Sequence, residues 1–465
     1  MASDAPAPNM VSRLAPRLVA LAVPITAVVA ALALGAIMLI ALGASPLSGY
    51  AALLDGAFGG WNALADTALK GMPLLLVGVG ICIAFRTGVV NLGGEGQIIA
   101  GALFATIVSL SIPGTPRVIL VPILILAGAI GGALWGAIPG SLKAYYGVSE
   151  ILSTIMMNII AAQFLSFLLL DWLAEPQEIR IQQTKRLSPN GDLPVLPGGT
   201  RLHLGVVIAI IVAVVGFIIL FKSSLGVRLR AVGHNPHASK YAGMPVQRSV
   251  VEALAISGAC AGIAGAVLVF GSESHRLIGE GGAIGFTQNA GFNGIVTALF
   301  GGLHPLATIP AAFLFGGLLT GGIKLQRELQ VPAALIVALN GVIVIFVVGS
   351  LKLRTRLSAW AARVGGCCAM SDFFTWSVIA ATLASGIRLA TPFLLASLGE
   401  MIGQRSGVLN LGVEGVMLIG AFVAYYTMLK TGSALTAVFS ALRARLPPGL
   451  LYPRNTLLRQ ADPGH

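Results

Sequence analysis

Charge is what this sequence has least of. Only 10% of its 465 residues are Asp, Glu, Lys or Arg, against 56% apolar. A soluble chain of this size needs far more charge to cover its surface, so a water-soluble globular protein is excluded and a bilayer protein remains. Cysteine is scarce too, with four residues. Cys82 and Cys260 lie inside apolar runs and behave there as small apolar side chains. Cys367 and Cys368 are adjacent and lack metal-ligand spacing, which excludes a zinc site, and the six histidines form no HExxH pair. The chain has no GxxxxGK[ST] phosphate loop and no nucleophile elbow, so neither nucleotide hydrolysis by that machinery nor a serine hydrolase is expected. The stretch "NLGGEGQ" is glycine-rich, yet it lacks GxGxxG spacing and follows an apolar run rather than a strand. We expect no cofactor and no enzymatic activity.

What is abundant is long apolar sequence, reflected in a mean hydropathy of +0.90. Runs of about 20 residues suffice to cross the hydrocarbon core as helices. The clearest are Leu18–Gly43, Val118–Gly140, Ile151–Leu173, Leu202–Phe221, Val250–Gly271 and Val331–Ser350. Glycine-broken candidates are Gly71–Phe85, Gly88–Leu110, Gly285–Leu303 and Pro305–Ile323, giving ten spans before residue 352. Unbroken runs without alternation indicate helices rather than a barrel. The first run is too long for a signal-peptide core and reads as a retained span. The 59 glycines suit close helix packing, above all "GAIGGALWGAIPG" from Gly128 to Gly140.

The net charge of +12 is better read as orientation signal than as nucleic-acid affinity. Lys222–Arg248 and Lys352–Arg363 are the strongest basic segments, and four spans separate them. They therefore share a side, the cytoplasm, which also receives Arg13, Arg17 and the N-terminus. The basic residues Arg180, Lys185, Arg186 and Arg201 fall on the opposite side and run against the rule.

The cytoplasmic stretch "FKSSLGVRLRAVGHNPHASKYAGMPVQRSV", Phe221–Val250, spells a short helix with marked ends. Asn235 can cap it, Pro236 suits its first position, Gly243 suits a left-handed terminator, and Pro245 blocks continuation. Ala238, Tyr241 and Ala242 share one face at i, i+3, i+4 spacing. These features fit a solvated connecting loop as well as a docking element.

With "FRTGVVNLGGEGQIIAGA", "GVSEILSTIMMNIIA" and "GFNGIVTALFGGLHPLATIPAAFLFGGLLTGG", this stretch resembles the permeases of ABC importers for branched-chain amino acids, monosaccharides and nucleosides. The likeness is to the simple-sugar and nucleoside branch and covers most of residues 20 to 352. It implies that Gly226, Arg228, Arg230, Gly233, Asn235, Pro236, Ala238, Tyr241, Ala242 and Gly243 form a loop coupling the permease to cytoplasmic ATPase subunits. It also implies a second complete permease subunit, identical or paralogous, an extracytoplasmic substrate-binding protein, and a place in the bacterial inner membrane. Asn293 departs from the Asp or Thr often found at its position.

Part of the signature recurs. Asn91, Gly93, Glu95, Gly96 and Gln97 lie in "RTGVVNLGGEGQ", and Asn410, Gly412, Glu414 and Gly415 lie in "RSGVLNLGVEGV", at an offset of 319. Before the second copy, "CCAMSDFF" looks like the fresh start of a partner permease. Beyond residue 430 the pattern fails, because Arg443, Arg445, Pro447, Pro448 and Pro453 fall where a span is due. We expect a complete permease domain over 1–364, a junction at 365–372, a partial second copy at 373–430 with two or three apolar helices, and an atypical tail at 431–465.

The expected fold is thus an all-α integral membrane protein with about ten transmembrane helices in residues 1–364. Its expected function is the permease subunit of an ABC importer for nucleosides or simple sugars, with a stand-alone secondary transporter or facilitator as the alternative. Glu95 is an intramembrane acid, read either as functional or as an interfacial partner of Arg86. Glu150 opens a span, where an acid favours the helix N-terminus. Asn158, Gln163 and Asn293 are candidates for the substrate path, the first two equally for ties between helices.

Overall fold

A computed structural model describes residues 43–330, apart from 171, 176–181, 198 and 280–283, together with 33–37, 39–40 and a few positions between 423 and 440. The chain divides into two compact units, Met1–Arg363 and Val364–His465. The expected span Val331–Ser350, most of Leu18–Gly43, and the second signature with Asn410, Gly412, Glu414 and Gly415 lie outside the described residues.

Twelve helices carry the first unit's described part. They are α1 (Pro46–Phe58), α2 (Trp61–Arg86), α3 (Gly94–Ser111), α4 (Arg117–Tyr146), α5 (Glu150–Leu170) and α6 (Gly205–Lys222). After them come α7 (Ser224–His234), α8 (Pro236–Tyr241), α9 (Val246–Phe270), α10 (Ile284–Thr287), α11 (Ala290–Phe300) and α12 (Thr308–Leu329). Seven of these, α2, α3, α4, α5, α6, α9 and α12, are long and apolar enough to cross a bilayer. Burial separates the centre from the rim: 78% of the apolar window of α2 is buried, but only 28% of that of α6. The rim helices α4, α5 and α6 turn Leu126, Phe167 and Ile211 outward, as a lipid-facing surface requires.

The α4 helix, 30 residues or about 45 Å, exceeds the roughly 30 Å core, so part of it projects beyond the hydrocarbon. Gly147 ends it at φ 70°, with its N–H on the Lys143 carbonyl and that of Val148 on Leu142. Glu150 then pairs with Lys143 at 2.8 Å as α5 begins.

Glycine sets the helix spacing. Gly128, Gly132, Gly136 and Gly140 recur every fourth residue on α4 and face α9. A β-carbon at Gly132 would overlap the Gly258 carbonyl, one at Gly136 the Leu254 carbonyl, and one at Gly262 the Gly128 carbonyl. Gly101 of α3 presses on Gly262 in the same way, so three backbones meet without side chains between them. On α2, Gly71 abuts Ala312 of α12 and Gly80 abuts Ser257 of α9.

Two features differ from the sequence expectation. The candidate span Gly285–Leu303 is broken: α11 has 11 residues, about 16 Å, too short to cross. The break falls where Gln288 and Asn289 both adopt left-handed φ, 51° and 59°. Helix α1 was not anticipated. It packs on α12 through Gly56 and Gly321, and Asp55 ion-pairs with Lys324.

Replacing Gly132 by leucine should force α4 away from α9. Overpacking of this kind costs roughly 1–3 kcal/mol or more, and we expect a large loss of folded protein in detergent. Leu134→Ala, on the 55%-exposed face of the same helix, should change the unfolding midpoint little. Equal midpoints for the two variants would refute the close-packing account.

Candidate translocation path and coupling elbow

The signature loop joins α2 to α3 and does not stay at the membrane surface. Gly94, the first residue of α3, lies against Gly291 and Val77. Val77 is nine residues before the Arg86 end of α2, about 13 Å along the helix. The second residue of α11, Gly291, packs on the backbone of Glu95. The span α3 and the short helix α11 therefore start face to face at the depth of mid-α2, with the positive ends of their dipoles converging.

Glu95 holds this junction. It is buried, and its Oε1 accepts hydrogen bonds from the backbone N–H of Gly291 at 2.8 Å and Phe292 at 3.4 Å. The side chain thus caps a helix almost two hundred residues away in sequence. Arg86 is engaged elsewhere: its Nε donates to the Leu303 carbonyl at 3.2 Å and its guanidinium stands over the Phe221 ring.

The remaining signature residues fix the loop's path. Asn91 Nδ2 donates to Gln97 Oε1 at 2.9 Å and to Ser257 Oγ of α9 at 2.8 Å, while Asn91 Oδ1 accepts from the Gly93 N–H at 2.9 Å. Asn158 bonds to both sides of the loop, accepting from the Gly96 N–H and donating to the Leu92 carbonyl, each at 2.8 Å. It therefore ties α5 to the loop. Gln163 lies on the exposed face of α5, and Asn293 is half-buried on α11. None of the three lines the cavity on the other side of the junction.

That cavity holds about 1520 Å³ between α2, α10, α12 and the loops around 192–203 and 271–278. Asp66, Lys70, His203, Phe286, Gln288 and Thr320 are among its lining residues. Its roof is sewn from two loops. Arg276 ion-pairs with Glu175, His275 Nδ1 lies 2.9 Å from Asp192 Oδ1, and the Thr184 N–H donates to the Leu277 carbonyl at 3.0 Å. His203 accepts from the Gly205 N–H at 3.1 Å through Nδ1, and burial holds its imidazole below the usual 6.5.

At the opposite end of the bundle from that cavity, α7 and α8 make an elbow. Ser223 caps α7 by accepting from the Gly226 N–H at 3.1 Å, and Asn235 caps α8 by accepting from Ala238 N–H at 3.0 Å. Pro236 is the first residue of α8, and Gly243 follows at φ 79°. Ser239 faces inward, whereas Ala238, Tyr241 and Ala242 are exposed, Tyr241 to 94%. Gly226 sits on the end of α6, and Gly233 sits on the Arg86 carbonyl, so the elbow rests directly on the start of the signature loop. Arg228 ion-pairs with Glu252 of α9. Arg230 stands over Phe221, on which His304 also stacks at 5.1 Å. Phe221, Glu252 and His304 were not singled out from sequence, because their partners come from distant helices.

Among the described residues no group of three His, Cys, Asp or Glu could hold a metal ion. No solved structure matches the chain. The family model for the branched-chain amino acid transport system permease component matches residues 63–356. A guanosine ABC transporter permease protein of Bacillus subtilis, NupP, is 37% identical over 343 residues, which cover 73% of this chain and 96% of that protein. A nucleoside ABC transporter permease protein of Lactococcus lactis, NupB, is 32% identical across 70% of this chain and 90% of its own length. A glucose ABC transporter permease protein of Haloferax volcanii, TsgB13, is 28% identical across 73% and 90%.

Removing the Glu95 side chain with alanine should leave the first N–H groups of α11 without their acceptor, costing about 1–2 kcal/mol. Glu95→Gln keeps an acceptor oxygen and should retain most of the unfolding midpoint. If glutamine is as damaging as alanine, capping is not what Glu95 does. His203 supplies a pH dependence. Its neutral form is favoured in the folded state, so the unfolded chain takes up its proton first as pH falls. Stability is then unaffected well above the usual 6.5 and declines below it until the folded group titrates. The midpoint should drop on acidification, and less so in His203→Asn; identical pH profiles would rule His203 out as the source.

Proposed function

The chain belongs to the family of branched-chain amino acid transport system permease components, and from that premise we propose which cargo it carries and where it is driven. It is a multi-pass membrane permease subunit of an ABC importer, and ATP hydrolysis lies in a separate subunit. Its cargo is a nucleoside or a simple sugar. The names of the relatives support this, as does a vestibule deep enough for a small polar solute.

The cytoplasmic ATPase docks on the elbow, at the exposed face of Ala238, Tyr241 and Ala242. The observation that carries this reading is the seating of that elbow: Gly233 rests on Arg86, at the loop that leads to the meeting of α3 with the short α11. A displacement of α8 therefore has a short packed route to the translocation path. The importer contains a second complete permease, identical or paralogous, and an extracytoplasmic binding protein delivers cargo to the vestibule. The N-terminus lies in the cytoplasm, and the membrane is the bacterial inner membrane. Residues 1–364 form the complete permease, and 373–430 the opening of a second copy.

The test uses the assembled importer. Ala238 is exposed, so Ala238→Glu should change folding by no more than about 0.5 kcal/mol. In a partner's groove the same glutamate becomes a desolvated charge, which costs several-fold more. We expect Ala238→Glu to insert normally but to lose both ATPase co-purification and ATP-dependent uptake, while Lys240→Ala retains both. Normal co-purification and uptake by Ala238→Glu would remove the docking assignment, and uptake that survives loss of ATP hydrolysis would remove the importer reading.

A further inference from the structure

Lys70 is unexplained by the signature, the elbow or the packing of α2. It lies within a membrane-crossing helix and lines the vestibule. An ionisable side chain at that depth is costly and marks a solute path more often than a structural site. Gln288 Oε1 accepts a hydrogen bond from the Lys70 ammonium at 2.6 Å, and Asp66, one turn earlier on the same helix and lining the same cavity, adds a carboxylate charge nearby.

The backbone delivers Gln288 to this place at a cost. Gln288 and Asn289 both hold left-handed φ; asparagine adopts it readily, but glutamine seldom does, and such conformations cluster at functional sites. The conformation is held from behind, because Glu95 fixes the N–H groups of Gly291 and Phe292 immediately after it. Gln288 is thus a pre-set group rather than a mobile loop side chain.

The chemistry of the pair is one-sided. Lysine has donors and no acceptor, so the carboxamide must turn its oxygen to Lys70 and its NH2 away. The ammonium keeps two further N–H groups. Together they offer neighbouring donors, with apolar Phe286 lining the same cavity. The complement is a solute edge with two adjacent acceptors, a carbonyl oxygen beside a ring nitrogen. A 6-oxopurine presents that edge, whereas a 6-aminopurine puts a donor where the carbonyl would be.

We propose that Lys70 and Gln288 form the contact that reads the base of a 6-oxopurine nucleoside in the vestibule. This rests on the nucleoside reading of the cargo. The binding protein also selects cargo, but its preference is common to every permease variant and cancels when variants are compared with the unmodified chain.

The experiment is competitive uptake of guanosine and adenosine by the complete importer reconstituted in vesicles. Lys70→Met and Gln288→Glu should each lower the guanosine-to-adenosine uptake ratio about tenfold. The glutamate occupies the ammonium and supplies no donor, yet it pairs with Lys70 and so holds the fold should the methionine variant fail to assemble. Lys70→Arg keeps the donors and should keep the ratio. An unchanged ratio, or an equal fall for both nucleosides in a variant that still co-purifies with the ATPase, overturns the proposal. If the unmodified importer takes up sugars and neither nucleoside, the cargo reading itself fails and this assignment falls with it.

Discussion

The contact of α4 with α9 through bare backbone governs the rest of the architecture. In hydrocarbon, helices gain nothing from burying apolar surface against one another, so close approach and dispersion must hold them. Gly128, Gly132 and Gly136 on one helix and Gly258 and Gly262 on the other permit that approach, and Gly101 admits α3 to the same contact. With α9 fixed, Ser257 meets Asn91, Asn91 meets Gln97, and the signature loop is folded down into the membrane. The position of that loop sets where α3 begins. The start of α3 in turn carries Glu95 to the first turn of α11.

The same loop faces two ways. One end, at Arg86, is the seat of Gly233, and its buried end is where α3 and the short α11 start face to face. Phe221 stands at the first of these places, with Arg86 and Arg230 within cation–π distance and His304 stacked upon it. Four elements thus share one ring: the end of α6, the elbow, the end of α2, and the turn between α11 and α12. Packed side chains of this kind move as a unit, which gives a physical route between the exposed face of the elbow and the buried start of α3.

Much of this was legible in the sequence, wherever the signal is local. Scarce charge and long apolar runs gave the bilayer and the approximate spans. Asn235, Pro236 and Gly243 gave both ends of α8, since capping depends on neighbouring residues alone. The glycine stripe of α4 announced close packing without naming its partner. Hidden were α1, whose apolar face is short, and the break before α11, because a lone Asn within an apolar run is a weak turn signal and Gln288 seldom adopts left-handed φ.

The role of Glu95 marks the boundary most clearly. From sequence it was an acid near a span start, within two turns or so of Arg86, and open to two readings. In the folded chain Arg86 turns to Leu303 and Phe221, and Glu95 reaches Gly291. Lys70 and Gln288 likewise meet only after some two hundred residues have been folded between them. The sequence by itself determined the solvent, the helices, the capped elbow and the family, because each rests on composition or on residues a few positions apart. The meeting of α3 with α11, the vestibule and its polar contacts were decided by tertiary structure alone, since a buried acceptor or donor takes whichever partner packing brings within reach.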